Sequence, residues 1–169
     1  MTYGFLIVGE DGLGDALRRD IAALLAATLD EGERYRATAW RTLRPAFRVV
    51  ALTPGGEAIG QASCFWVPCQ PPVRLLGLGD VAVAPAHRRR QVARTVCAIA
   101  TSEGWRLHAS AMLAKTTPLR TVLADLGYVP ATDGRFYWSE NGTRHVHPLW
   151  MAAVRAELPT AVQLEEGDF

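Results

Sequence analysis

One stretch, residues 80–93, constrains the fold of this chain more than any other. Its sequence is DVAVAPAHRRRQVA. The pattern predicts a buried strand, a turn that starts at a proline, three arginines and the first turn of a helix. A strand that enters a helix through a basic loop directs backbone N–H groups and positive charge at one point, where a phosphate or pyrophosphate can bind. The segment therefore predicts a site for a phosphorylated carrier.

The composition of the chain limits which kinds of partner that site could bind. The chain has 169 residues, of which 49% are hydrophobic, so we expect a single domain over residues 1–169 with a polar surface tail at 157–169. Its net charge of +1 gives no overall field that would attract nucleic acid or an anionic membrane, and the arginines therefore indicate a local anion. We expect no membrane span, because no stretch approaches ~20 apolar residues.

The first residues of the sequence and the cysteines favour a cytoplasmic protein. Residues 1–8 lack the basic start of a secretion signal. The chain has three cysteines, an odd number without metal-ligand spacing, and these are typical of ordinary small residues in a reducing compartment. A catalytic thiol is the weaker interpretation, since no histidine is near any of them in sequence. We expect no metal.

Apolar periodicity predicts one α/β (α+β) unit, an antiparallel meander that turns parallel near its end. Residues 68–72 are proline-rich and are expected to form a connection. The predicted strands are 3–8, 47–52, 58–67, 73–83, 107–113 and a final hairpin of 136–138 with 145–151, and the predicted helices are 13–29, 34–42, 91–104 and 118–126.

Two motifs in this order resemble the GNAT superfamily of N-acyltransferases. The carrier-binding signature of that family runs Arg/Gln-x-x-Gly-x-Gly/Ala, and Arg88, Gln91 and Ala93 match its positions after a Val-x-Pro lead-in at residues 83–85. Residues 126–128, Leu-Gly-Tyr, resemble the family's Leu-Gly-Phe/Tyr landmark. The resemblance implies a GNAT fold, with a mixed, mostly antiparallel sheet of about six to seven strands flanked by about four helices.

The resemblance also implies a donor site for coenzyme A or a related phosphopantetheine thioester. The pantetheine arm would pair with one strand and the pyrophosphate would lie over the helix N-terminus. Gln91 replaces the first glycine of the signature and makes the loop bulkier, which leaves an acyl carrier protein as an alternative donor. The implied donor-binding residues are Val81, Ala82, Val83, Arg88, Arg89, Arg90, Gln91, Val92, Ala93 and Thr117.

Two subgroups are similar to this chain. The aminoglycoside 2′-N-acetyltransferases share the ending Asp168-Phe169, an acidic residue followed by an aromatic one. The nodulation protein A acyltransferases share Trp40-x-x-x-Arg44-Pro45-x-x-Arg48 and Thr117-Pro118-Leu119. Many members of the superfamily protonate the leaving thiolate with a tyrosine at the position of Leu123, and its absence here slightly favours the nodulation-type interpretation.

Acyl transfer to an amine requires a general base, and Asp80 is the best candidate. It interrupts an apolar strand at the predicted carrier groove, where an unpaired carboxylate would be costly. A salt bridge to an arginine of the following loop, or a contact at the strand end, is an equally good interpretation. His145 and His147 are two residues apart and would share one face of a strand, so they are candidates for a proton relay with Asp80. A structural role for both histidines is the favoured alternative.

These observations predict an N-acyltransferase that moves an acetyl or longer acyl group from acyl-CoA or an acyl-carrier-protein thioester to a primary amine. The acceptor is a small molecule, amino sugar or peptide in specialised metabolism, and the amine attacks directly in a ternary complex. An aminoglycoside-type resistance enzyme and a catalytically degenerate module that binds a carrier are the alternatives. A homodimer is one candidate assembly, and no nucleic-acid partner is expected.

Overall fold

Alternating apolar strands build a seven-stranded main sheet and a smaller four-stranded sheet. The structure is a computed structural model that describes residues 2–30, 32–36, 39–40 and 43–165. The strands are β1 Gly4–Val8, β2 Phe47–Leu52, β3 Ala58–Trp66, β4 Cys69–Gln70, β5 Leu75–Val83, β6 Ala111–Lys115, β7 Val129–Pro130, β8 Phe136–Glu140, β9 Thr143–His145, β10 Trp150–Val154 and β11 Val162–Leu164. The main sheet has the order β1-β2-β3-β5-β6-β10-β7, and the smaller sheet has the order β4-β11-β8-β9.

Three α-helices occur in the described part of the chain. They are α1 Asp15–Thr28, α2 Val92–Arg106 and α3 Arg120–Asp125. The helix expected over 34–42 is replaced at its start by a 3-10 turn, Gly32–Tyr35, and residues 37, 38, 41 and 42 of that prediction lie outside the described residues. None of the described helices is both long and apolar enough to cross a membrane.

The two faces of the main sheet are covered by different elements. Helices α2 and α3 pack on one face, where Leu76, Leu78 and Met112 join Val96 and Leu123 in one core cluster. Helix α1 and the smaller sheet cover the opposite face through two other buried clusters. Burial of both faces supplies the main driving force for folding. The predicted mostly antiparallel α/β sheet is confirmed, with one parallel pair between β5 and β6.

Three local predictions need correction. Strand β6 starts at Ala111 rather than 107, because α2 continues to Arg106 and His108 then takes a left-handed turn with φ 59°. The expected final hairpin forms between β8 and β9, whereas β10 belongs to the main sheet and pairs with β6. Residues 69–70 are an edge strand of the smaller sheet and pair with β11.

Candidate active site

Strands β5 and β6 separate about halfway along β5, near the end of β6. Their parallel ladder runs from the Leu75–Ala111 pair to the Leu78–Ala114 pair. Beyond it, β5 continues to Val83 with β3 as its partner strand in the described structure, while Lys115 of β6 pairs with Trp150 of β10. The separation opens a cleft along one edge of β5, because backbone groups there no longer have a neighbouring strand.

A β-bulge at Asp80 lies where β5 and β6 separate. It reverses which side chains of β5 point to each face of the main sheet. Gly79 is opposite Ser63 and Ala82 is opposite Gln61, so two residues of β5 oppose one of β3. The backbone of Asp80 is left-handed, with φ 47°. Before the bulge Leu76 and Leu78 pack in the cluster under α2, whereas after it Ala82 joins the cluster under α1.

The bulge turns the Asp80 carboxylate toward the face covered by α1. The hydroxyl of Tyr35 donates a hydrogen bond to Asp80 Oδ1 at 2.6 Å. Tyr35 is itself buried in the α1 cluster and lies in the 3-10 turn that follows α1. The Asp80 side chain is thereby fixed by a residue 45 positions away, and nothing in the local sequence indicates this partner.

The cleft has a volume of about 850 Å³ and extends from one face of the main sheet to the other. On the α2–α3 side its lining includes Val92, Ala93, Leu119, Val122 and Leu123. On the α1 side the lining includes Thr28, Leu29, Asp30, Tyr35, Leu43, Phe65 and Leu149. Two molecules that enter the cleft, one from each face of the sheet, would therefore meet beside the bulge of β5.

Most of the predicted donor-binding residues line this cleft. Nine of the ten do so, namely Val81, Ala82, Val83, Arg88, Arg89, Gln91, Val92, Ala93 and Thr117. Arg90 is exposed and is not part of the lining, so for this residue the structure gives no support to the expectation. Arg88 donates from Nε to the carbonyl of Val83 at 3.1 Å, which ties the basic loop to the end of β5.

The loop presents the N-terminus of α2 to the cleft. Helix α2 begins at Val92, and its N-cap Gln91 has the left-handed conformation φ 63°, ψ 6° with no side-chain cap. The first backbone N–H groups of a 15-residue helix together with two lining arginines, Arg88 and Arg89, form an anion-binding arrangement. A phosphorylated carrier thus fits this end of the cleft.

His145 and His147 do not belong to the cleft. Among the residues that the structure describes, its lining includes neither. His145 stacks on Trp138 of β8 with ring centroids 5.2 Å apart, and His147 lies beyond β9 and accepts at Nδ1 from the backbone of Leu149 at 3.1 Å. The expectation of one shared strand face is wrong, because β9 ends at His145. The favoured alternative of a structural role agrees with these contacts.

The cysteines and Tyr128 have structural positions. Cys64, Cys69 and Cys97 are buried, and none lines the cleft as described. Burial raises the pKa of the Cys97 thiol to about 12, and it also raises that of Cys64, so both remain protonated near neutral pH. Tyr128 packs in the α2 cluster, its hydroxyl 3.1 Å from Thr101 Oγ1, and burial raises its pKa. Direct transfer needs none of these groups as a nucleophile.

Several lining residues have no counterpart among the predicted site residues. Arg94 and Lys115 add cationic side chains, His87 adds an imidazole ring, and Asp30 adds a carboxylate on the α1 side. Gln61 lies beneath Asp80, and a polar residue inside the apolar strand 58–67 is the signal that could have indicated it. In the described structure, no three His, Cys, Asp or Glu side chains are grouped closely enough to hold a metal ion.

A cleft between separated strands and a helix N-terminus that can bind an anion together fit a protein that binds a phosphorylated carrier. The sequence agrees, since the family model for the acetyltransferase (GNAT) family matches residues 16–124, more than half of the chain. The chain therefore belongs to the GNAT family.

Similarity to individual proteins is partial in sequence and extensive in fold. N-acetyltransferase Eis of Mycobacterium bovis (strain BCG / Pasteur 1173P2) is 43% identical over 70 residues, 37% of this chain and 17% of that protein. The match thus spans a small fraction of the length of the curated relative. Escherichia coli YhbS, solved in complex with CoA, superimposes with a TM-score of 0.69 at 17% identity over 98% of this chain and 92% of that one. An aminoglycoside acetyltransferase, HMB0005, from an uncultured soil metagenomic sample has a TM-score of 0.60 at 20% identity over 75% of this chain and 91% of that one.

Replacing Gln91 by glycine should stabilise the protein and improve donor binding. Gln91 has φ 63°, a conformation that costs a side-chain-bearing residue ~1 kcal/mol relative to glycine. Gln91→Gly should therefore raise the free energy of unfolding by roughly 0.5–1 kcal/mol and lower the KM for acyl-CoA severalfold, since the loop becomes less bulky. Urea denaturation and steady-state kinetics measure the two effects.

His108→Gly is the matched control for this prediction. His108 has φ 59° and lies outside the cleft lining as described, so its replacement should stabilise the fold without changing the donor KM. If both variants change the KM alike, the effect does not arise in the donor loop.

Proposed function

We propose that this chain transfers an acyl group from acyl-CoA to a primary amine by direct attack in a ternary complex. The separation of β5 from β6 after the Leu78–Ala114 pair carries the proposal, because it places the backbone of 79–83 along a cleft open to both faces. The donor enters on the α2 side and the acceptor on the α1 side. Both reactants therefore reach β5 without a covalent intermediate on the protein.

The donor half rests on backbone and arginine groups. The amide groups of the pantetheine arm pair with the cleft-facing edge of residues 81–83, as an added strand pairs with a sheet edge. The pyrophosphate lies at the N-terminus of α2, with Arg88 and Arg89 beside it. The backbone N–H of Val81 polarises the thioester carbonyl where the bulge turns this residue into the cleft.

The acceptor half rests on Asp80. Its carboxylate accepts a proton from the neutral amine as the new nitrogen–carbon bond forms and the carbon–sulfur bond breaks, and the CoA thiolate leaves and takes up a proton from water. The hydroxyl of Tyr35 holds the carboxylate in place. Leu123, which lines the donor side, has no proton to give, so this chain lacks the tyrosine that many relatives use at that position.

The residues on the α1 side of the cleft support a proposal for the acceptor. Leu29, Leu43 and Phe65 form an apolar wall, while Asp30 and Asp80 supply two carboxylates in the lining as described. A cationic amine with an apolar body matches this combination. An amino sugar is the second candidate, favoured by the same carboxylates and by similarity in fold to the aminoglycoside acetyltransferase HMB0005.

Release of free thiol tests the proposal. Acetyl-, octanoyl- and palmitoyl-CoA should each be incubated with the protein and with a panel of an arylalkylamine, an aminoglycoside and a peptide with a free N-terminus. Turnover with at least one pair is expected, and the preferred donor gives the acyl length. Binding of CoA by calorimetry without turnover for any pair would identify a carrier-binding module without catalytic activity instead.

Other expectations remain predictions. An acyl carrier protein as donor is tested by substituting an acyl-carrier-protein thioester for acyl-CoA in the same assay. A homodimer is compatible with the exposed edge strand β1, where Phe5, Leu6 and Ile7 are 39%, 37% and 45% exposed. Cytoplasmic location and a place in specialised metabolism also stay predictions.

A further inference from the structure

A buried polar network lies directly beneath the bulge of β5. Arg48 of β2 is fully buried and donates from Nε to Glu10 Oε2 at 2.9 Å. Its Nη1 donates to Gln61 Oε1 at 3.0 Å and to Ser63 Oγ at 2.9 Å, both on β3. Its Nη2 donates to the carbonyl of Ala39. The guanidinium thus fixes the side chains on the neighbouring strand.

Gln61 connects this network to β5. Its Oε1 accepts from Arg48, and its Nε2 donates to the backbone carbonyl of Asp80. The orientation of the amide is determined by chemistry, since Arg48 can only donate and the Asp80 carbonyl can only accept. The bulge removes the Asp80 carbonyl from regular pairing, and the Gln61 amide becomes its hydrogen-bond partner.

A buried ion pair is weak evidence for stability, because the cost of removing both charges from water offsets their attraction. Here the pair determines which way a neutral amide points. We propose that Gln61 is a positioning residue. The Arg48–Glu10 ion pair fixes the Gln61 side chain, and the Gln61 amide in turn holds the Asp80 carbonyl in place. It thereby holds the bulge that aims the Asp80 carboxylate and the Val81 N–H into the cleft. The inference rests on the proposed function, in which these two groups contact the reactants.

Replacement of Gln61 tests this inference. Gln61→Leu and Gln61→Glu both remove the N–H that reaches Asp80, and Gln61→Glu keeps the size of the side chain and its contact with Arg48. We expect kcat to fall at least 10-fold in both variants, while the affinity for CoA itself changes less than threefold, because the phosphate site on α2 is untouched. Ser63→Ala is the matched control.

Ser63 contacts Arg48 as Gln61 does, and in the described structure its hydroxyl bonds are to Arg48 and Gln61. Its loss should leave kcat within twofold of wild type although Arg48 again loses an acceptor. Wild-type kcat in both Gln61 variants, or an equal fall in Ser63→Ala, would overturn the positioning role. If Gln61→Leu fails to fold, Gln61→Glu alone decides between these outcomes.

A second measurement does not depend on turnover. Amide hydrogen–deuterium exchange of the peptide covering residues 78–84 should be faster in both Gln61 variants than in wild type, and unchanged in Ser63→Ala. Unchanged exchange in the Gln61 variants would contradict the inference. Absence of turnover in the wild-type protein would instead contradict the proposed function and leave the exchange result to be judged independently.

Discussion

Asp80→Asn should lower kcat at neutral pH by on the order of 10²- to 10⁴-fold, the contribution usual for a positioned general base. The substitution removes the proton acceptor with little change in structure. Position 80 has φ 47°, and asparagine tolerates this left-handed conformation as well as aspartate does. The amide oxygen can still accept the hydrogen bond from Tyr35 that is 2.6 Å long in the wild-type protein.

Three measurements separate catalysis from structure in this variant. The temperature midpoint of unfolding and the calorimetric affinity for CoA should both match the wild type, since the donor site lies on the opposite face of the sheet. Asp20→Asn is the control, because Asp20 is an exposed residue of α1 and its replacement should leave kcat unchanged. Wild-type kcat in Asp80→Asn would show that Asp80 is structural and that another group receives the proton.

The strand, loop and helix that form the proposed donor half of the site could be predicted because they are local in sequence. Strand, basic loop and helix follow one another within residues 80–93, so their order alone fixes where the helix N-terminus lies. The same locality made Asp80 visible as a charged residue in an apolar strand. The bulge was not predictable from this segment, because it is defined by the register of β5 against β3.

The acceptor half depends on contacts between distant segments. Tyr35 reaches Asp80 across 45 residues, and no periodic pattern connects the two. The prediction that His145 and His147 share one strand face failed for the same reason, since a spacing of two residues fixes a strand face only if the strand includes both positions. Here β9 ends at His145, and neither His145 nor His147 is in the cleft lining as described. Tertiary placement, rather than local propensity, decides such cases.

The motif that contains Arg48 illustrates a different limit of prediction from sequence. The spacing Trp40-x-x-x-Arg44-Pro45-x-x-Arg48 was visible as a family resemblance, but the burial of Arg48 was not. Arg48 is an interior residue of β2, opposite Ser63 of β3, and its charge is compensated by Glu10 from the 3-10 turn after β1. An arginine within the strand FRVVAL could equally have pointed to solvent.

Arg48→Met should destabilise the protein by ~3–5 kcal/mol, because it leaves the carboxylate of Glu10 buried without its main partner. The side chain of Glu10 is only 2% exposed, and its remaining cation, Arg18, lies 3.5 Å away and is 36% exposed. For a chain of this size, the temperature midpoint of unfolding should fall by ~10 °C or more. Denaturant titration gives the free energy directly.

The double variant Glu10→Gln/Arg48→Met distinguishes a stranded charge from lost packing. Removing both charges eliminates the buried uncompensated carboxylate, so the double variant should be more stable than Arg48→Met alone and lie within about 2 kcal/mol of the wild type. Its kcat should nevertheless be lower than that of the wild type, because Gln61 loses its hydrogen bond from Arg48 and the Asp80 carbonyl is then held less firmly. A double variant as unstable as Arg48→Met would show that the stability is lost through poorer packing and not through the uncompensated charge. A double variant with wild-type kcat would show that the ion pair does not position the bulge.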